Sequence, residues 1–426
     1  MKIIIHRGIA QIGGCITEIA TVKTRILIDL GQNLPDGDGE IKDILANRKE
    51  IEKITQGIDG IFYTHYHGDH LGLFHYVPHT TQQYIGKIAK QVTLCKYRQL
   101  SYIKSLRPQT AQQIKVLDEM EELNPAVSIL VGDIKVTPYF VSHSAYESYM
   151  FLVEAGGRRI LHTGDFRGHG YLSKGLLLTI KKLILAQDKI DFLITEGTML
   201  SRIGEKVMSE KMLQREIQKV MIRYKYIFVM CSATDMERLA TCYAANKRLK
   251  YRPLLCDSFQ KEILEIFSKS AGKQSDLFLF DRVCDFNSGN TRLLDHMVKN
   301  GFCMFVRATD KFKHYYQVLA SRLNPVETVL IYSMWKSYIN PNGKHAVKRY
   351  IDFISMFPNL ERLHTSGHAS AKCLASICNL VNPAVGIIPI HSESPRTYMN
   401  LPIETHLKEK IILSSRFIDD IEVKVK

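Results

Sequence analysis

Thr64-His65-Tyr66-His67-Gly68-Asp69-His70 decides the reading of this sequence. Three imidazoles and a carboxylate fall between positions 65 and 70. Histidine and aspartate are costly to bury unless paired or bound to metal. An apolar strand, Gly60-Ile61-Phe62-Tyr63, runs into this stretch and Leu71-Gly72-Leu73 leads away, so it stands at the end of a buried strand. Two histidines at i and i+2 on a turn converge on one ion. The Asp69-His70 pair is placed to point at a second. Imidazole nitrogen and carboxylate oxygen suit zinc or a similar borderline metal.

Upstream, Lys2 to Arg7, Cys15 to Ala20 and Arg25 to Asp29 read as strands, with a turn at Gly13-Gly14. Asp36-Gly37-Asp38-Gly39 reads as a loop and Ile41 to Thr55 as a helix. Downstream, 81–122 reads as largely helical, over Gln82 to Arg98 and Pro108 to Leu123. Strands follow at Ser128 to Leu130 and Ile134 to Phe140. His143 comes next, between that strand and another at Tyr149 to Val153. There it is well placed to complete the first metal site with His65 and His67. Arg159 to His162 is a strand that leads to Asp165. His162 and His169 fit no ligand position and read as structural.

A strand at Asp191 to Thr195 leads into Glu196-Gly197-Thr198, and the pattern then changes. Strand-like runs at Ile227 to Met230, Leu254 to Cys256, Leu277 to Phe280, Phe302 to Val306 and Thr328 to Ile331 alternate with helix-like runs. Such alternation implies a parallel α/β sheet. The predicted organisation is a first domain over 1–196, an inserted domain over 197–363, and a closing part of the first domain over 364–426. His368 precedes a helix at Ala371 to Leu380. His391 ends a strand at Val385 to Ile390, so both reach a strand or helix end as a closing metal site requires. Lys408 to Lys426 reads as a terminal strand region with a frayed end.

A chain of 426 residues with 45% hydrophobic and 23% charged residues has the composition of a soluble globular protein. No apolar run reaches the roughly 18 residues of a membrane span, and the apolar N-terminus is too brief for a secretion signal. Nine scattered cysteines without a Cys-x-x-Cys pair read as reduced thiols in a cytoplasm. None of Cys15, Cys95, Cys231, Cys242 or Cys373 sits in a ligand-like spacing, so packing is their expected role. Most of the net charge of +14 lies in 197–363, which carries 27 Lys and Arg against 16 Asp and Glu. A basic domain beside a metal site points to a polyanionic substrate, nucleic acid first. A solvated surface that keeps the protein soluble accounts for the charge equally well.

Taken together, these residues resemble the β-CASP nucleases, a branch of the metallo-β-lactamase superfamily. The runs Ser366-Gly367-His368 and Pro389-Ile390-His391-Ser392-Glu393 look most like bacterial RNase J enzymes. The resemblance implies an αββα sandwich with an inserted parallel α/β domain. It implies metal ligands His65, His67 and His143 for one ion and Asp69, His70 and His391 for the other, with Asp165 bridging. Asp29 resembles the carboxylate that braces the metal loop by holding a ligand histidine in one tautomer. Glu196, His368 and His391 resemble the acidic residue and the two histidines of the β-CASP motifs. Histidine at position 391 is associated in that branch with RNA and valine with DNA.

The expectation is a dinuclear zinc ribonuclease, manganese being a possible occupant, that acts on single-stranded RNA. Zinc lowers the pKa of bound water to about 7, so hydroxide is at hand at neutral pH. Asp69, His368 and Glu196 are the candidate catalytic residues, with His368 protonating the leaving 3′ oxygen and Glu196 orienting it. Ser232 and Thr234, at an expected helix N-terminus, are candidate RNA-phosphate contacts together with Ser366 and His368. Tyr315, Tyr316 and Trp335 are expected in the core of the insert. The alternatives are a DNA nuclease of the same fold and a small-molecule metallo-hydrolase. The C-terminal domain of RNase J proteins and the N-terminal RNA-binding module of archaeal cleavage-factor relatives are not recognised, so the chain reads as a minimal member whose oligomeric state has no sequence signal.

Overall fold

A computed structural model describes residues 1–34, 44–202, 204–249, 252–418 and 420–426, with side chains of 44–47 outside that description. The loop expected at 36–39 lies outside the described residues, and the helix expected from position 41 is described as Ile44–Thr55. The described residues divide into two compact units. One comprises Met1–Leu34, 44–205 and Gly367–Lys426, the other Lys206–Ser366.

Two sheets make the first unit. The eight-stranded sheet runs in the order Arg416–Ile418, Ile421–Val425, Lys2–Arg7, Ile16–Ala20, Arg25–Ile28, Gly60–Phe62, Gln82–Gly86, Glu121–Leu123. The six-stranded sheet runs Gly386–Ile390, Phe192–Glu196, Arg158–His162, Ser148–Ala155, Ile134–Val141, Ile129–Val131. Alternation along each strand sends one set of side chains between the sheets. Ile3, Ile19, Ile26 and Phe62 meet Phe151, Ile160, Ile194 and Ile388 there. The opposite set on the second sheet, Leu161, Leu193 and Ile387, packs on Leu374, Ile377 and Cys378 of the helix Ala371–Val381. That helix begins where the Ser370 side chain accepts from Cys373 N, and it ends at Asn382 in the left-handed region, φ 42°.

Two expectations are corrected in this unit. Gln82–Gly86 is not helical but a strand, parallel to Gly60–Phe62 on one side and Glu121–Leu123 on the other. The helix starts only at Lys87, because the Glu147 carboxylate accepts from the backbone N–H groups of Ile88 and Ala89. That cap comes from a residue distant in sequence and carries no local signal. The C-terminal strand is not frayed either. Ile421–Val425 pairs in parallel with Lys2–Arg7, from Lys2 opposite Glu422 to Ile5 opposite Val425, and Val423 is fully buried.

Beneath that strand pair lies a buried ionic group. Glu18 accepts from His6 Nε2 at 2.7 Å and from Arg25 Nε at 2.8 Å. Burial alone would raise its carboxyl; the two partners outweigh burial and hold it down to about 2. A pKa below the ordinary 4.5 adds stability above that pH, and the contribution is lost as pH falls from 4.5 toward 2. Glu18→Gln is expected to lower stability at pH 7 by about 3 kcal/mol and to flatten its fall between pH 4.5 and 2. Urea unfolding across that range measures both effects.

The second unit is a wholly parallel six-stranded sheet, in the order Val283–Asp285, Leu254–Cys256, Phe302–Val306, Tyr226–Met230, Thr328–Tyr332, Leu360–Arg362. The expected strand at Leu277 to Phe280 is instead a 3₁₀ turn, Asp276–Phe278, which Ser275 begins by accepting from Leu277 N. Helix starts are marked by side-chain caps: Ser209 to Met212 N, Asp235 to Arg238 N, Asp257 to Gln260 N and Asn290 to Leu293 N. Tyr315 and Tyr316 pack on the core of this unit, Tyr316 with its ring 4.2 Å from that of Phe357. Arg238, almost fully buried, pairs with Glu210 at 2.8 Å and donates to Ser333 O and Thr365 O. It thereby ties the strand Thr328–Tyr332 to the returning chain. The units part at 205–206 and 366–367, nine and three residues beyond the 196–197 and 363–364 read from sequence.

Candidate metal centre

The loop 64–70 leaves the strand Gly60–Phe62 and is held by its backbone on two sides. Leu30 N donates to His70 O at 2.8 Å, Gln32 N to Gly68 O at 2.9 Å and Cys15 N to Asp69 O at 3.1 Å. Gly31 lies so close that a Cβ there would fall 1.7 Å from Asp69 O. Gly31→Ala must therefore displace the loop. The expected result is a protein with its sheets intact by circular dichroism and a metal affinity lowered by about tenfold or more, read by competition with a chromogenic chelator.

His65, His67 and His143 offer one ring nitrogen each within 4.8 Å of one another. His65 Nε2 lies 3.0 Å and His143 Nε2 3.3 Å from His67 Nδ1. His143 Nδ1 donates to Gly367 O at 2.7 Å, which leaves the Nε2 lone pair for the cluster. Burial and the neighbouring imidazoles hold His65 and His143 well below the ordinary histidine value, and burial brings His67 down to about 4. Neutral imidazole is the form that ligates metal.

Asp165 stands beside this trio. Its Oδ2 is 3.1 Å from His70 Nε2, 3.6 Å from His391 Nε2 and 3.9 Å from His143 Nε2. Asp69 Oδ2 is 3.2 Å from His391 Nε2 and 3.9 Å from His70 Nε2. His70 Nδ1 donates to Asp29 Oδ2 at 2.7 Å, and Asp29 Oδ1 also accepts from Thr64 N at 2.7 Å. Asp29 thus ties the histidine and the start of the loop together. Burial opposes charge on His70 and on Asp165. The Asp165 and Asp29 carboxylates nevertheless raise His70 well above its ordinary value, and His391 and His70 bring Asp165 well below its own. Asp29 and His391 both adopt left-handed backbone, φ 63° and 50°, at the ends of their strands. Such conformations persist in non-glycine residues where surrounding structure imposes them.

His368 and Glu196 complete the arrangement. His368 Nδ1 is 3.4 Å from Glu196 Oε1 and 3.6 Å from Asp165 Oδ2. Burial would lower His368, but the Glu196 and Asp165 charges outweigh it and raise its pKa. Glu196, fully buried, also accepts from Ala369 N at 2.9 Å and Thr198 N at 3.0 Å. Sequence reasoning missed Thr198. Its hydroxyl lies 2.7 Å from His391 Nδ1 and 3.1 Å from His368 Nδ1, tying together two histidines far from it in sequence. His162, fully buried, accepts from Gly164 N through Nδ1 at 3.2 Å, and burial lowers it to about 4.

These residues fit divalent metal. Asp165 Oδ1 is buried without a hydrogen-bond partner. Five imidazoles (His65, His67, His70, His143 and His391) and two carboxylates (Asp69 and Asp165) turned on one another are the donor set that such ions satisfy.

Ser232 and Thr234 lie in the second unit, after the strand Tyr226–Met230, with their hydroxyls 3.4 Å apart. The helix N-terminus behind them is capped by the Asp235 carboxylate, which accepts from Arg238 N. An anion there would face that carboxylate, so we assign no phosphate contact to this pair. Ser366 is the last residue of the second unit. Among the described residues, no helix is long and apolar enough to cross a membrane.

Residues 24–202 match the beta-lactamase superfamily domain. Ribonuclease J of Mycoplasma pneumoniae is 24% identical over 434 residues, covering 95% of this chain and 70% of that protein. A probable RNase of Methanocaldococcus jannaschii is 23% identical over 430 residues, covering 94% of this chain and 95% of that one. A crystal structure of an Enterococcus faecalis protein of unknown function superposes with a TM-score of 0.68 at 20% identity, covering 92% of this chain and 94% of the other. Residues 24–202 thus resemble the beta-lactamase superfamily domain, and along nearly its whole length the chain is similar to proteins named ribonuclease J or probable RNase.

Proposed function

We propose that the chain is a metal-dependent ribonuclease that hydrolyses phosphodiester bonds of single-stranded RNA, with zinc as its metal. The observation that carries this reading is the convergence on Asp165 of His70, His143, His391 and His368. A simple structural cluster has no use for so many imidazoles around one buried carboxylate. The names of the relatives support RNA as the substrate, as does histidine at position 391. The excess of Lys and Arg over 197–363 supports a polyanion. Residues 206–366 are the proposed β-CASP insert.

His65, His67 and His143 are assigned to one ion, Asp69, His70 and His391 to the other, and Asp165 to both. Divalent ions in such a cradle supply a water acidic enough to attack phosphorus near neutral pH and a positive field for the phosphate oxygens. The chain's own residues do the rest. Asp29 and Gly367 O hold the Nδ1–H of His70 and His143, so that each Nε2 lone pair faces inward. Thr198 does the same for His391. Glu196 and Asp165 favour the protonated form of His368, which gives its proton to the leaving 3′ oxygen. The downstream product then carries a 5′-phosphate.

The test offers end-labelled RNA, DNA of the same sequence and a chromogenic β-lactam to the protein in zinc or manganese. Cleavage of RNA alone, with 5′-phosphate products, is expected. Preference for DNA overturns the assignment of His391, and turnover of the lactam in place of RNA overturns the nuclease reading.

A further inference from the structure

Cys15 has the spacing of a packing residue, but the fold puts it elsewhere. Its Sγ and one ring nitrogen each of His70 and His391 lie within 4.8 Å of one another. On both histidines Nδ1 is already engaged, by Asp29 and by Thr198. His70 Nε2, in a side chain 1% exposed, points into the centre, 3.1 Å from Asp165 Oδ2. The Cys15 thiol and this imidazole nitrogen therefore stand together with His391 at the second ion position.

The thiol is held there from both sides. Cys15 N donates to Asp69 O at 3.1 Å, and Cys15 O accepts from Gly31 N at 3.0 Å. The loop that presents Asp69 and His70 thus also fixes the cysteine. On the far side Gly8 leaves room for sulfur: a Cβ there would stand 3.1 Å from Sγ. Cys15 is 2% exposed, so solvent does not compete for it.

We infer that Cys15 is a ligand of the second metal position, alongside Asp69, His70, His391 and Asp165, and that it makes this position a soft one. The inference rests on the proposed metal-centre reading and adds to it the identity of the metal. On coordination the metal–sulfur bond forms and the S–H proton leaves to solvent. Thiolate selects zinc and cobalt over manganese and magnesium, which carboxylate and imidazole alone do less sharply. Removing the sulfur is expected to weaken zinc at that position by about tenfold or more while leaving manganese binding little changed.

The experiment loads the full chain and Cys15→Ser with cobalt and records near-ultraviolet spectra and metal stoichiometry. The expected result is a thiolate-to-cobalt charge-transfer band in the unaltered protein that Cys15→Ser loses while both proteins bind two ions. Two bound ions with no band, or a band that survives in Cys15→Ser, overturns the thiol ligand and leaves the metal centre standing. A protein that binds no cobalt overturns both. Zinc-edge X-ray absorption on the unaltered chain needs no substitution. A sulfur scatterer at about 2.3 Å supports the inference, and only nitrogen and oxygen at about 2.0–2.2 Å overturns it.

Discussion

Asp165→Ala is expected to lower RNA hydrolysis by about three orders of magnitude or more and to reduce bound metal from two ions to one or none. The Asp165 carboxylate stands within 4 Å of imidazoles from both expected ion positions, His143 on one side and His70 and His391 on the other. Its backbone is fixed by Gly164, whose left-handed φ of 55° no β-carbon could share, since Tyr149 O would stand 2.8 Å away. Alanine keeps that backbone and removes only the carboxylate. The several kcal/mol of charge stabilisation that a metal ion gives a phosphoryl transition state are lost with it. Metal analysis and single-turnover cleavage on the same preparation read both parts. An Asp165→Ala protein that keeps two ions and cleaves at the original rate would show that the carboxylate is not shared.

His368→Ala should behave differently. Metal content stays at two ions, while the rate of RNA cleavage falls by about 10²–10⁴-fold, the range of a lost general acid. The distinction follows from geometry. His368 contacts the centre through Nδ1, at 3.4 Å from Glu196 and 3.6 Å from Asp165, and remains partly exposed, whereas His65, His70, His143 and His391 are buried. A substrate whose leaving group needs no proton separates the role from a structural one. With a bis-p-nitrophenyl phosphodiester the defect of His368→Ala should shrink to less than about tenfold. An equal loss on both substrates would remove His368 from proton transfer. Glu196→Gln should show a loss of the same kind, because its single amide oxygen accepts from only one of Ala369 N and Thr198 N, which bond to different carboxylate oxygens, and the amide no longer favours the imidazolium.

The local motifs were legible because their chemistry is dense in sequence. His65 to His70 is unmistakable, and His143, Asp165 and His391 each stand just past the end of a strand. The parallel sheet of the insert followed from strand–helix alternation, and the two-sheet first unit from the family resemblance. What was not legible depends on partners distant in the chain. Thr198 is an ordinary threonine until the strand Gly386–Ile390 lies beside Phe192–Glu196 and brings His391 against it. Gly31 is one glycine among many until the metal loop docks on it. Gln82–Gly86 was read as helix because its cap, Glu147, lies about sixty residues downstream. Cys15 has no spacing signal because its neighbours, His70 and His391, meet it only in the folded sheet. In each case the deciding contact is long-range, and local pattern is blind to it.

The pairing of Ile421–Val425 with Lys2–Arg7 has a consequence for synthesis. Lys2–Arg7 gains Ile16–Ala20 early but waits for its other neighbour until residues 421–425 have been made. His391 arrives almost as late, so the nascent protein carries the metal loop for most of its production without the means to finish the centre. A polypeptide that ends before residue 391 lacks the last of the histidines proposed for the second ion. On the proposed metal-centre reading, an unfinished copy is expected not to cleave RNA until the last strands have been made.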